Sequence, residues 1–379
     1  MERTQRVRRS PVTRRDRWPV LGWSLLVLAT GCADAPLGPT TVDPIDLAAE
    51  WETAAAGTVG MDHRTLVAAG VRAASIDRMR SLLVVRNGRL VYEGYFNGAG
   101  RETLADVRSV TKSVVGALTG LAIEAGHIES VHQPITDLLL PGPDVPLRSE
   151  HSEVTVGHLL SMASGIEWTE SGSLGYVDWI TASDHVAYLL ERDFAATPGT
   201  TFSYNSAAVH LLGVVLEDAT GRSLPAFADE VLFGPLGITE RAWEPLSSGG
   251  RVNGGDALGP RPPALARFVQ LYWQEGRGGQ KRLTPQAWAG MSMDPLMGPL
   301  GSVSGMGPVS YGYLWWTDER RGAAFAWGFG GQIIYVDPDL DLVVVTTAEW
   351  RGVTQDEGNA WLTEQAMRLV TEGVLPAVR

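Results

Sequence analysis

Ser109-Val110-Thr111-Lys112 holds the residues best suited to chemistry. On a helix, Ser109 and Lys112 stand three positions apart and project from the same side of the first turn. A serine hydroxyl attacks a carbonyl poorly until a neighbouring base takes its proton. Lysine can be that base when burial or the positive end of a helix lowers its pKa; arginine cannot, because it stays protonated. The chain uses arginine almost everywhere a cation is wanted, and its only lysines are Lys112 and Lys281. Only Lys112 has a serine three residues upstream. The competing reading is a surface lysine behind an N-cap serine. The apolar neighbourhood speaks against it, since an ammonium would be poorly solvated there.

Two further stretches offer complementary groups. Tyr204-Asn205-Ser206 follows a Pro198-Gly199 turn and precedes an apolar helix, where a tyrosine can pass a proton to a leaving group. Its alternative is a tyrosine packed on a helix start. Trp327-Gly328-Phe329-Gly330-Gly331-Gln332 is a glycine-rich approach to a strand, which lets backbone N–H groups come close to a bound carbonyl. Its alternative is an ordinary turn.

The elements that must position these groups can be read from periodicity. Val110, Val114, Leu118 and Leu121 form one stripe, widened by Val115, Ala117 and Ala122, so a core helix is expected from Ser109 to Gly126. Leu82–Phe96 carries two β-rich runs around Asn87-Gly88, a hairpin signal, and Ser75–Arg80 reads as the end of a helix. Further helices are expected over Val156–Met162, Asp184–Glu191, Ala207–Ala219, Leu224–Phe233 and Pro263–Gln274. Strands follow at Gln332–Val336 and Leu342–Thr347, and a closing helix at Glu357–Thr371. Strands first, helices in the middle and strands last predict an α/β (α+β) domain over residues 59–379, interrupted by a mainly helical lobe at roughly 127–310. The Ser109 helix would lie where the lobes meet, a usual place for a pocket.

Composition bounds the rest. Residues 1–31 carry seven arginines ahead of a short apolar run, Trp18–Ala29, the layout of a secretory signal. The run ends in Leu28-Ala29-Thr30-Gly31-Cys32, which resembles a bacterial lipoprotein box with Cys32 as the lipidated first residue. An ordinary signal peptide with a stray cysteine, or twin-arginine export through Arg14-Arg15, are the alternatives. Residues 32–58, rich in Pro, Ala, Thr and acids, read as a tether. Removing residues 1–31 takes the formal charge from −12 to −17, which argues against nucleic acid and polybasic membrane binding and leaves the lipid as the one membrane contact. Cys32 is the only cysteine, so no intramolecular disulfide can form. The seven histidines show no metal-ligand spacing, and no metal or other cofactor is expected.

Ser109-Val-Thr-Lys112, Tyr204-Asn205-Ser206 and Gly328-Phe329-Gly330-Gly331 fall in the order of the three motifs of the serine β-lactamase-like hydrolases. The chain resembles the branch holding class C β-lactamases, D-alanyl-D-alanine carboxypeptidases, family VIII esterases and nylon-oligomer hydrolases. Leu159–Gly165, Pro235–Ile238 and Tyr311–Trp316 add to the likeness. The resemblance implies an antiparallel sheet flanked by helices with an inserted helical lobe, and acyl transfer through a covalent acyl-enzyme. It casts Ser109 as nucleophile, Lys112 as base and Tyr204 as proton relay. Oxyanion and substrate contacts fall to Ser109, Ser206, Phe329 and Gly330. The tyrosine motif of relatives ends in Asn where this chain has Ser206. Their third motif opens with Lys or His where it has Phe329, or Trp327 in a shifted alignment. The missing cation counts against penicillins and peptide C-termini and favours neutral esters or amides. A cell-wall D-Ala peptidase or β-lactamase is the second hypothesis, and a non-enzymatic envelope binding protein the third. No Gly-x-Ser-x-Gly elbow of an α/β-hydrolase occurs.

Overall fold

The two β-rich runs around Asn87-Gly88 pair as the sequence predicts: β1 (Met79–Arg86) and β2 (Arg89–Tyr95) form an antiparallel hairpin. Asn87 and Gly88 both take positive φ, 50° and 69°, which matches the right-handed twist of the strands they join. The computed structural model describes residues 44–140, 146–171, 175–246, 250–303, 305–355 and 357–379. Residues 1–31, Cys32 and the first part of the expected tether lie outside them.

Two short hairpins, β3 (Arg241–Trp243) with β4 (Leu258–Pro260) and β5 (Arg277–Gly278) with β6 (Lys281–Arg282), stand apart from the main sheet. That sheet has seven antiparallel strands in the order β2-β1-β11-β10-β9-β8-β7, completed by β7 (Val309–Tyr311), β8 (Trp316–Asp318), β9 (Ala323–Gly328), β10 (Gln332–Asp337) and β11 (Leu342–Ala348). Its central strands are apolar on both faces because both faces are covered. Leu83, Val85, Ile334 and Val345 join one core, and Leu82, Val84, Ile333 and Val344 join the other. The second core is closed by α1 (His63–Ala74) and α10 (Glu357–Arg368). Helix α1 starts on Asp62, which accepts the Thr65 N–H at 2.9 Å, and ends before Ser75. The segment expected to end a helix at Arg80 has already entered β1, whose β-branched run decides its state.

Helix α2 (Thr111–Glu124) follows a 3-10 turn, Arg108–Val110, so Ser109 sits on the turn that opens the helix. Every residue from Thr111 to Ala122 is buried, as its all-round apolar surface requires. Emptying the fully buried Leu118 to Ala would cost about 2–5 kcal/mol. Between the sheet's two halves in sequence come α3 (Val156–Leu160), α4 (Tyr176–Ile180), α5 (His185–Leu190), α6 (Ser206–Thr220) and α7 (Leu224–Ala228). They gather around α6, which also packs against α2. Helices α8 (Pro262–Trp273) and α9 (Gln286–Met293) follow. Helix α8 leaves this group to pack on β1, β10 and β11, and β7 already belongs to the sheet before residue 310. The helical insertion is therefore shorter than its expected span.

Residues 44–58 are folded rather than a free tether. Leu47 and Trp51 are buried, and Ala54 N–H and Leu90 N–H exchange hydrogen bonds with Leu90 and Glu52 carbonyls along the outer strand β2. The segment covers an edge that would otherwise expose unpaired backbone groups.

Candidate active site

Lys112 reaches Ser109 from one turn into α2. Its Nζ lies 2.7 Å from Ser109 Oγ and donates to the Gly255 carbonyl at 2.7 Å. The side chain is 1 % exposed. Burial pushes its pKa down to about 8; Arg108 acts in the same direction, while Glu170 and Asp256 oppose it. An amine so placed is still mostly ammonium below about pH 8, but its neutral fraction is far larger than that of a free lysine, and that fraction can accept a proton.

Tyr204 precedes α6, whose N-cap is the next residue: Asn205 Oδ1 accepts the Ala208 N–H at 2.9 Å. The cap and the Ser203 N–H to Met162 carbonyl bond, 2.8 Å, fix the tyrosine backbone. Its ring lies under Lys112 Nζ, 5.0 Å to the centroid, and stacks on Trp316 at 6.1 Å. Burial, then the Glu170 charge, pushes the Tyr204 hydroxyl well above the usual range, and a hydrogen bond to Ser109 pulls the other way. Tyr204 is thus a neutral phenol and a donor.

The glycine-rich stretch arrives from the end of β9. A Cβ at Gly328 would lie 3.1 Å from Ser109 N, so this strand runs against the nucleophile turn. Phe329 lines the cleft. Gly330 does not offer its N–H to a substrate, because Asn359 Oδ1 accepts it at 2.7 Å; that removes Gly330 from the expected oxyanion contacts. Trp327 stacks on Trp316 at 4.5 Å and 8°. Where the motif resemblance leads one to expect Lys or His, this chain presents an aromatic wall.

Ser206, expected to contact substrate, is 1 % exposed and gives both donors to Glu170: its hydroxyl to Oε1 and its N–H to Oε2 at 3.1 Å. Trp168 Nε1 donates to the same carboxylate at 2.7 Å. Ser206 therefore presents Glu170 to the cleft rather than its own hydroxyl.

Sequence reasoning missed Glu170, and also Arg108, Tyr176 and Asp256, all of which line the same cleft of about 390 Å³. Arg108 pairs with Asp256 at 3.0 Å, donates to Tyr176 Oη at 3.0 Å and stacks on Trp350 at 4.3 Å. Tyr176 donates to Asp256 at 2.5 Å. The available signals were weak: an arginine directly before the nucleophile and an acid after Asn253-Gly254-Gly255. Lys281, the other lysine, is exposed on β6, away from this constellation.

A family model described as Beta-lactamase matches residues 71–367, most of the chain. The chain belongs to the beta-lactamase family. The relatives of this family member include the esterase EstB of Burkholderia gladioli, 28 % identical over 341 residues, covering 76 % of this chain and 83 % of that protein. The 6-aminohexanoate-dimer hydrolase of Paenarthrobacter ureafaciens is 26 % identical over 295 residues, 71 % of this chain and 72 % of the relative. Among solved structures, the octameric penicillin-binding protein homologue from Pyrococcus abyssi has the same fold, with a TM-score of 0.63 at 18 % identity over 83 % of this chain and 78 % of the other. The beta-lactamase-family fold expected from the motif order is the fold observed, and the protein is a serine hydrolase of that family.

Proposed function

We propose that the protein hydrolyses neutral esters or amides through an acyl-enzyme on Ser109. The observation that carries this reading is the buried Lys112 amine, 2.7 Å from Ser109 Oγ and lowered to about 8. In acylation, neutral Lys112 takes the Ser109 proton while Oγ bonds to the carbonyl carbon. The oxyanion forms against the Ser109 and Phe329 N–H groups. Tyr204 gives its proton to the departing oxygen or nitrogen and is resupplied from the Lys112 ammonium. Water then attacks the Ser109 ester, its proton passes to the Lys112–Tyr204 pair, and Ser109 Oγ leaves with a proton returned from it.

Charge supports neutral substrates. The cleft's Arg108 is already balanced by Asp256, with Asp106 at 3.8 Å, and Glu170 and Asp256 face the same space. Among the described residues lining the cleft, a substrate carboxylate would find no unpaired cation and two carboxylates close by. Relatives include an esterase and a 6-aminohexanoate-dimer hydrolase, which supports hydrolysis of an ester or amide bond, whereas the preference for neutral substrates rests on the cleft's own charges. A short p-nitrophenyl ester assayed beside a chromogenic cephalosporin tests the reading, with fluorophosphonate labelling mapped by peptide mass. Ester turnover with the adduct on Ser109 is expected. Cephalosporin turnover alone would point to a β-lactamase or D-Ala peptidase, and no labelling at all to a binding protein.

The arginine-rich start, the short apolar run and the Ala29-Thr30-Gly31-Cys32 ending support an exported lipoprotein held in the cell envelope by lipid on Cys32. Cys32→Ser should move the protein from the membrane fraction to the soluble one. A wild type already soluble after export would contradict the anchor.

A further inference from the structure

The turn Asn253-Gly254-Gly255-Asp256, between β3 and β4, reaches both charged residues that flank Ser109. The Gly255 carbonyl takes a hydrogen bond from Lys112 Nζ, and Asp256 Oδ2 pairs with Arg108 Nη2 at 3.0 Å. The turn is closed on itself: Asn253 Oδ1 accepts the Gly255 N–H at 2.9 Å, and Asn253 Nδ2 donates to Asp256 Oδ1 at 2.7 Å. Asn253 and Asp256 are 2 % and 4 % exposed. A Cβ at Gly255 would lie 2.6 Å from the Ser206 carbonyl, so the turn also rests on the start of α6. The strand that follows keeps the grip, since Val107 N–H donates to Leu258 O at 2.9 Å and Leu258 N–H to Thr111 Oγ1 at 3.1 Å.

We propose that this turn is the positioning element of the hydrolase: Gly255 aims the Lys112 amine at Ser109, and Asp256 holds Arg108 so that the nucleophile turn keeps its shape. The inference rests on the serine-hydrolase reading above. A neutral amine has two N–H groups and one lone pair. With one N–H fixed on Gly255 and the Tyr204 ring beneath, the lone pair is left to face the Ser109 hydroxyl. Arg108 takes φ +49°, a region unfavourable for a residue with a Cβ, so it needs such a restraint. Asp106 Oδ1 accepts its N–H at 3.0 Å, and Asp256, Tyr176 and Trp350 enclose its guanidinium.

Asp256→Asn keeps the size and the Asn253 contact but removes a charge. The charged and titratable groups around Lys112 are Tyr204, Glu170, Asp256 and Arg108. Without Asp256, Arg108 keeps only Asp106, at 3.8 Å, as an acidic partner and Glu170 alone opposes it at Lys112, so Lys112 loses its proton at lower pH. In p-nitrophenyl ester hydrolysis, plateau kcat should fall about tenfold with KM within about twofold, and the acid limb of kcat/KM should move down by about half a pH unit or more. Gly255→Ala, which displaces the carbonyl without changing charge, should lower plateau kcat and slow fluorophosphonate labelling of Ser109. Thermal melts establish that each variant is folded. A folded Asp256→Asn protein whose acid limb stays in place overturns the assignment, even if kcat falls, because a merely structural acid would behave that way. Wild type that neither turns over ester nor labels at Ser109 overturns the hydrolase reading itself, a separate result.

Discussion

Ser206 gives its hydroxyl and its backbone N–H to the two oxygens of Glu170, across 36 residues of sequence. Where the motif resemblance leads one to expect an asparagine amide, this active site therefore carries a carboxylate held by a serine. A fixed negative charge beside the nucleophile repels anionic substrates, and at the separations inside a cleft that repulsion is felt at the level of kcal/mol. Glu170→Gln removes the charge; its one carbonyl oxygen can still accept from the Ser206 N–H and Trp168 Nε1, while its NH2 donates to the Ser206 hydroxyl, which turns to accept. The kcat/KM of a carboxylate-bearing ester, relative to its neutral analogue, should rise about three- to tenfold, a shift of about 1 kcal/mol. An unchanged ratio would show that Glu170 has no part in selecting substrate charge.

Lys112→Arg separates a base from a fixed cation. Arginine keeps the charge but cannot lose a proton. Ester hydrolysis should fall by about 10²–10⁴-fold in a protein that still melts cooperatively. For the wild type, the same assignment sets the pH profile. A base lowered to about 8 is neutral above that pH, so kcat/KM should climb with pH through about 8. A limb near 6.5 would indicate a histidine instead, and near-normal turnover by Lys112→Arg would exclude proton abstraction by this residue.

The buried His210 should make the fold less stable in acid. It is 4 % exposed on α6, with Trp179 and His185 edge-on at 5.6 and 6.1 Å. Burial, reinforced by His185 and Arg251, pushes its imidazole down to about 3. The folded value lies below the unfolded one of about 6.5. Its contribution is therefore complete above about pH 6.5 and is lost as pH falls towards 3, at up to about 1.4 kcal/mol per pH unit. In His210→Phe, Tm should change less between pH 6.5 and 4 than in wild type. Parallel Tm curves over that range would refute the assignment.

Much of this could be read in the sequence because it is local. The α2 core helix, the Asn87-Gly88 hairpin and the paired strands β10 and β11 announce themselves by apolar spacing within a dozen residues. Ser109, Lys112 and Tyr204 sit in short motifs with fixed neighbours. Glu170, Tyr176 and Asp256 do not: Tyr176 meets Asp256 across 80 residues, and Lys112 meets Gly255 across 143. An acid in a loop has no period, so nothing distinguishes it from a solvated one before the chain folds. The same holds for Leu47 and Trp51, which are buried by irregular packing over β2 and carry no helical or strand rhythm. Gly330 was plausible as an oxyanion donor until Asn359, from α10, accepted its N–H.

Gly328 links that long-range geometry to catalysis most directly. As the last residue of β9 it pairs with Gln332, and Phe329 follows it towards the cleft. A Cβ there would lie 2.2 Å from the Val107 carbonyl, 2.9 Å from Arg108 Cβ and 3.1 Å from Ser109 N. The first and last of these are backbone atoms, which cannot swing aside as a flexible side chain can. Gly328→Ala must therefore push β9 away from the nucleophile turn, separating the Ser109 N–H from the Phe329 N–H that would share an oxyanion. Overpacking of this kind costs about 1–3 kcal/mol in stability. Losing an oxyanion donor costs about 10²–10³ in kcat, and Ser109 labelling by a fluorophosphonate should slow with it. Gly100→Ala is the control, since no atom lies within 4 Å of its Cβ and both readings should stay at wild type. A folded Gly328→Ala protein with an undiminished ester rate would mean that the β9 backbone takes no part in holding the oxyanion.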